Sequence, residues 1–267
     1  MYWIYNLPLW LLGLIIVGGI CSVTCAVLVL IRPWVYRYFN ITSDTNEGIG
    51  VFLASMGMLY GLLLSLTALS AWENFNSAEG LVNKEASTIT LLYKASNMLD
   101  NPIKALLHQE IKDYLNQVIN VEWTASDKSK VVNTGAIILT QYLNTLSTYH
   151  VKSVENQIYL TNLLAVYGQL VIDRRLRLLA EDMGVPFIAW VVILTVGVLI
   201  IVISFLIHLP SIRTHLIVMA IFSITLGLMI FLMVAIDNPF RGVISISSDA
   251  YSQLLKDIQL GIFDPYL

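Results

Sequence analysis

Charge is scarce in this sequence. Only 12% of its 267 residues are Asp, Glu, Lys or Arg, against 57% hydrophobic residues. A water-soluble domain carries about 25% charged and about 45–50% apolar residues, so an ordinary cytosolic enzyme is not expected. Disorder is excluded as well, because so much apolar surface does not stay solvated. Cysteine is nearly absent. Cys21 and Cys25 stand one helical turn apart in an apolar run, short of the ligands a structural zinc site needs, and read as packing residues. The histidines His108, His150, His208 and His215 are scattered; His208 and His215 read as surface groups beside a short loop. G-x-S-x-G, H-E-x-x-H, P-loop and C-x-x-C patterns are all missing. No catalytic residue, metal set or cofactor is expected. The absence of a basic stripe argues against a nucleic-acid partner.

The charge deficit is concentrated. Residues 8–31, 49–72, 186–207 and 216–236 contain no Asp, Glu, Lys or Arg, and each run exceeds the ~20 apolar residues a helix needs to cross a bilayer. The sequence therefore predicts an all-α membrane protein. Four transmembrane helices form two hairpins, and a helical extramembrane bundle is inserted between helices 2 and 3. The expected division is 1–72 for the first hairpin, 73–185 for the helical domain, 186–236 for the second hairpin and 237–267 for a tail. The first run lacks a basic start and a small-residue cleavage site, and it is longer than a signal peptide's apolar core. Arg32, Trp34, Tyr36, Arg37 and Tyr38 follow it as an interfacial belt. Charge bias does not fix the orientation. Arg32, Arg37 and Arg213 lie on the short loops, whereas Lys84, Arg174, Arg175, Arg177 and Arg241 lie on the insert side.

Within the insert, residues 73–99 contain no proline and continue the second span, giving one expected helix of roughly 50 residues. Pro102 stops it, because the residue before a proline avoids helical geometry, and Asp100 is placed to cap the next helix. Ile103, Leu106, Leu107, Ile111, Tyr114, Leu115, Val118 and Ile119 form an apolar stripe at helical spacing. Residues 123–130 read as a loop, and 131–149 and 154–179 as two further helices. Asn40-Ile41-Thr42 fits a glycosylation sequon, a weak pattern.

The second span carries the most information. Gly50, Ala54, Gly57, Gly61 and Ser65 place a small residue at nearly every fourth position, which lets helix backbones approach closely. The close partner is either another span of the same chain or a second copy. A different face reads Ser55, Leu59, Leu62, Leu66, Ser70 and Glu73. These residues either face lipid or core, or line a pore whose leucines gate by dewetting. Arg174 and Arg177 share a helix face before the third span. They would concentrate anions at a pore mouth, or else pair with Glu181, Asp182 or other carboxylates of the insert. After the fourth span, Asp237-Asn238-Pro239-Phe240-Arg241-Gly242 forms a rigid ending in which Asp237 and Arg241 form a structural lock or a mouth site.

The four runs hold no Asp, Glu, Lys, Arg or His. Proton relays, ion-coupled carriers and voltage sensors keep such residues within the membrane and are not expected here. A conducting path must then lie on an axis shared by several subunits.

Leu59-Tyr60-Gly61-Leu62-Leu63-Leu64, Ala71-Trp72-Glu73, Asn83-Lys84-Glu85-Ala86 and Leu91-Leu92-Tyr93-Lys94 together resemble the bestrophin-like domain family of mostly bacterial membrane proteins, as do the segment Arg174 to Arg177 and the Asp237–Gly242 ending. The resemblance covers about residues 45–265. It implies a relation to bestrophins, homo-oligomeric anion channels of four-span subunits. Their second span lines a central pore with an apolar neck, and a helical cytosolic part continues the path. It further implies a homo-oligomer, pentameric by analogy, conducting small inorganic anions such as chloride in a lipid bilayer, here a bacterial inner membrane. The helical domain and both termini would be cytoplasmic. Calcium-gated bestrophins carry an acidic run after the last span, whereas Asp237, Asp249, Asp257 and Asp264 are well separated here. The competing reading is a non-conducting membrane scaffold or sensor whose helical domain binds a partner.

Overall fold

The computed structural model describes residues 7–39, 42, 45–123, 134–150, 153–242 and 244–263. The described residues are helical with no strand, as the sequence predicts. Among the described residues, eight helices follow in order: α1 (Leu9–Tyr38), α2 (Thr45–Ser96), α3 (Ile103–Gln117), α4 (Gly135–Ser147), α5 (Val154–Ala180), α6 (Phe187–Ser204), α7 (Ile212–Ile236) and α8 (Asp249–Gln259). Helices α1, α2, α6 and α7 are long and apolar enough to cross a membrane.

Several boundaries differ from the sequence reading. Helix α2 is a single helix of 52 residues, in line with the expected length, but it ends at Ser96 rather than Leu99. Pro102, not Asp100, is the residue that precedes α3 as its cap, without a side-chain cap bond. Helix α7 begins at Ile212, four residues before the charge-free run. His215 therefore sits in its first turn and is buried, 1% exposed. The expected surface position of His215 is corrected: helix geometry turns this residue toward the packed side. The sequon residues Asn40 and Ile41, residues 124–130 of the expected loop, residues 131–133 of the helix expected over 131–149, and Asp264 lie outside the described residues.

The chain divides into two compact units. The first comprises Met1–Phe75, Gly184–Asn238 and Gly242–Ile244; the second comprises Asn76–Met183, Pro239–Arg241 and Ser245–Leu267. Most of the tail thus packs within the second unit. Phe240, Ile246, Tyr251, Leu254 and Ile258 are buried there, and the Ile246 amide donates to the Pro239 carbonyl at 2.8 Å. Gly242 turns the chain with φ 94°, a conformation that favours glycine.

In the first unit the core lies between helices. Tyr60 and Leu64 of α2 pack with Ile193 and Ile200 of α6 and with Leu226 and Met233 of α7. The Tyr60 hydroxyl donates to the Ile193 carbonyl at 3.1 Å. A Cβ at position 197 would stand 2.7 Å from that hydroxyl, so Gly197 is what lets α2 and α6 meet. Gly227 has the same role between α7 and α1, where a Cβ would stand 2.9 Å from the Val17 Cα. A π-helical turn, Leu14–Gly18, interrupts α1 beside this contact. At the end of the unit that holds the short loop, Asn46 accepts from the His208 amide at 2.7 Å and donates to its carbonyl at 2.8 Å, while Arg32 donates to Leu209 at 2.6 Å.

Candidate functional site

Helix α2 uses its faces differently. Tyr60, Leu64 and Ala71 are buried, and Leu53, Met56 and Ala68 are partly buried beside them. At about 100° per residue, Ser55, Leu59, Leu62, Leu66, Ser70 and Glu73 fall on roughly the opposite side. All six are exposed, Leu59 at 69% and Leu62 and Leu66 at 58% each. The candidate pore face is thus uncovered in the single chain.

The small-residue stripe lies on a flank between these two faces. Gly50, Ala54, Gly57, Gly61 and Ser65 are all exposed, and a Cβ on Gly50, Gly57 or Gly61 would meet nothing within 4 Å. Among the described residues, no other span of the chain packs closely on this stripe. The glycines that hold spans together are Gly197 and Gly227, which the spacing pattern did not single out.

Arg174 and Arg177 occupy the interior of the second unit. Arg174 forms a bidentate pair with Glu122, Nη1 to Oε2 at 2.7 Å and Nη2 to Oε1 at 2.8 Å. Arg177 donates from Nε to Glu85 at 2.6 Å and from Nη2 to Glu122 at 2.9 Å. The Tyr114 hydroxyl donates to Glu85 at 2.5 Å, and the Gly135 amide donates to Glu122 at 2.9 Å. Two guanidiniums and two carboxylates cancel, and the aromatic rings of Tyr114, Trp123 and Tyr251 lie about them. A Cβ at position 135 would stand 2.6 Å from Glu122 Oε1, so Gly135 admits the carboxylate.

Burial opposes ionisation of Glu122, but the hydrogen bonds and charges of Arg174 and Arg177 outweigh it and hold the carboxyl below its usual range. Burial likewise opposes the charge on Arg177, and Glu85 reverses the balance and raises it. Asp173 belongs to a neighbouring cluster. Its buried carboxylate meets Lys84 Nζ at 3.0 Å, Thr88 Oγ1 at 2.7 Å and Gln169 Nε2 at 2.8 Å. These partners overcome burial and lower its pKa.

The sequence reading singled out Arg174 and Arg177 as site residues; it quoted Glu85 only within a family motif and did not single out Glu122. A signal for them exists. Ala78, Val82, Glu85, Ile89 and Leu92 recur every three or four residues, as do Ile111, Leu115, Val118 and Glu122, and all are buried. An acid inside such an apolar row must find a base. Asp237, in the first unit, accepts from the Val185 amide at 2.7 Å. Its side chain fastens the start of the second hairpin to the end of α7. Arg241 lies in the second unit, beyond Pro239.

Four membrane-length helices, two glycine-mediated span contacts and a helical unit built around a neutral buried charge cluster define an integral membrane protein of all-α fold. A family model for the bestrophin-like domain matches residues 18–251, and the chain belongs to that family. No curated protein matches the sequence. Among solved structures, a bacterial bestrophin homologue from Klebsiella pneumoniae is similar with a TM-score of 0.67 at 12% identity, over 95% of this chain and 99% of that one. A point variant of a bestrophin homologue from the same organism gives 0.66 at 13% identity, over 94% and 98%. A structure described only as a membrane protein gives 0.67 at 12% identity, over 94% and 98%. At this identity the likeness shows the fold. Family membership supports an ion-channel role in general.

Proposed function

We propose that the protein is a homo-oligomeric ion channel whose α2 helices surround a central pore. The observation that carries this reading is the uncovered Ser55, Leu59, Leu62, Leu66 and Ser70 face of α2, roughly opposite the face buried against α6 and α7. A helix held from behind by its own subunit is free to present its front to a shared axis. Hydroxyls near the ends and leucines between them would give a wettable entrance and an apolar neck that gates by dewetting. The flank of Gly50, Ala54, Gly57, Gly61 and Ser65 would let neighbouring α2 helices approach closely around that axis. A pentamer follows by analogy with bestrophins. A bacterial inner membrane, with the second unit and the termini on the cytoplasmic side, also follows from the family resemblance.

Anion preference, with chloride as the conducted ion, had two supports: the resemblance and free basic residues at a mouth. Arg174 and Arg177 are neutralised by Glu85 and Glu122, so only the resemblance remains behind it. The test is reconstitution of the purified oligomer into liposomes with flux measured across pH and osmotic conditions. Ion flux carried by a pentamer-sized species supports the channel. A monomer or dimer without flux favours the non-conducting scaffold or sensor.

A further inference from the structure

Helix α7 starts without an acid. Its cap residue Ser211 makes no side-chain cap bond, and no Asp or Glu stands in its first turn. Arg213 stands there instead. The start of a helix already carries unpaired amides and a partial positive charge, so this cation adds like charge to like. Arg213 is exposed, and it forms none of the ion pairs among the described residues.

Arg32 of α1 brings a second cation to the same place. Its Nη2 donates to the carbonyls of Leu209 at 2.6 Å and Pro210 at 3.5 Å, the two residues before Ser211. Its Nε is buried without a hydrogen-bond partner. His215 lies beneath. A helical side chain leans back toward the start of its helix, and the His215 ring is within electrostatic reach of Arg32. The residue is 1% exposed, and neither ring nitrogen has a hydrogen-bond partner. The Ser204 carbonyl faces the ring without closing a bond. Buried polar atoms are normally satisfied, so these three nitrogens hold bonding capacity that the described residues do not use. Neither Arg32 nor His215 pairs with a carboxylate among the described residues, and Glu47, in the first turn of α2, joins none of the ion pairs.

We propose that the start of α7 binds a phosphate group, held by Arg32, Arg213 and the first α7 amides, with His215 as a buried N–H donor below them. Helix starts take up phosphate through their free amides and dipole, and guanidinium N–H groups match its oxygens. An anionic phospholipid headgroup and inorganic phosphate offer this same chemistry. The depth suits a headgroup, because Trp34 and Tyr38 beside Arg32 on α1 are exposed, as interfacial aromatics are. Bound phosphate neutralises the cluster and ties α1 to the start of α7. The proposal does not depend on where α2 sits in an oligomer.

The test is a thermal-shift titration of the delipidated, detergent-purified full chain with phosphatidylglycerol, phosphatidylcholine and inorganic phosphate, since a ligand of the folded state raises the melting temperature. Phosphatidylglycerol is expected to bind several-fold more tightly than phosphatidylcholine, whose headgroup cation offsets its phosphate. Competition by inorganic phosphate shows that the phosphate itself is recognised, and binding of inorganic phosphate alone assigns the site to the free ion. Arg213→Gln alters an exposed side chain outside the ion pairs, so the fold should persist while binding falls several-fold. Arg32→Gln should weaken binding further. Arg37→Gln, roughly 140° away around α1, should leave it unchanged. Binding of none of the three ligands, equal binding of both lipids without binding of phosphate, unchanged binding in Arg213→Gln, or an equal effect of Arg37→Gln would each overturn the proposal.

Discussion

Arg177 donates its Nε hydrogen to Glu85 Oε2 at 2.6 Å, with both side chains at most 1% exposed. This bond ties α5 to α2. Arg177 also reaches Glu122 at 2.9 Å, so one guanidinium joins two carboxylates. A buried charge stripped of its partner is costly, about 3–5 kcal/mol for a broken buried pair. Arg177→Ala is expected to destabilise the protein by that order, which thermal melting of the detergent-purified protein would read. Replacing Arg177 and Glu85 together by apolar residues should cost less than the sum of the two single changes, as coupled neighbours do.

Acid should weaken the second unit. The carboxyls of Glu122 and Asp173 are both held below their ordinary values. A group whose folded pKa is depressed contributes stability above its unfolded pKa, about 4.3 for Glu and about 3.9 for Asp. That contribution is lost as pH falls through the lower folded value. Melting temperature should therefore hold steady near neutrality and drop below about pH 4. Asp173→Asn, which cannot titrate, should show a shallower acid decline than the parent protein.

The membrane part of the fold was legible in the sequence because hydrocarbon tolerates so few charges. Four charge-free runs mark four helices, and the absence of proline from residues 73–99 marks the continuation of α2. The buried cluster was less legible. Arg174 and Arg177 stand out as a basic segment, but Glu85 and Glu122 look like ordinary helical acids until their apolar neighbours are read as a row. The role of glycine was harder still. Gly57 and Gly61 match a familiar spacing, yet among the described residues a Cβ on either would meet nothing within 4 Å, whereas Gly197 and Gly227 stand alone in sequence and make the close contacts. Spacing reports which residues are small; it does not report which backbone approaches them.

That contrast gives a direct comparison of variants. Gly197→Ala should disturb the fold of a single chain, because the new methyl meets the Tyr60 hydroxyl at 2.7 Å, and overpacking of this kind costs about 1–3 kcal/mol. Gly57→Leu should leave the chain folded, since nothing stands within 4 Å, but lower the subunit number measured by light scattering in mild detergent. A normal oligomer with Gly57→Leu would remove this flank from the subunit contact.

Shortening the leucines should open the neck. Leu62→Ala and Leu66→Ala each remove apolar bulk from the uncovered face. Raised basal flux from liposomes is the expected outcome, because a wider, less apolar constriction wets more readily. Leu64→Ala, on the buried face, should instead lower thermal stability without a leak.

The placement of α2 around a conducting axis is tested most directly by cysteine accessibility. In a background with Cys21 and Cys25 replaced, single cysteines are introduced along α2, and current is recorded while a charged thiol reagent is applied. Block at positions 55, 59, 62, 66 and 70, with none at 60 and 64, is the expected pattern. Block confined to the Gly57 and Gly61 flank, or no block at any position, would contradict the account.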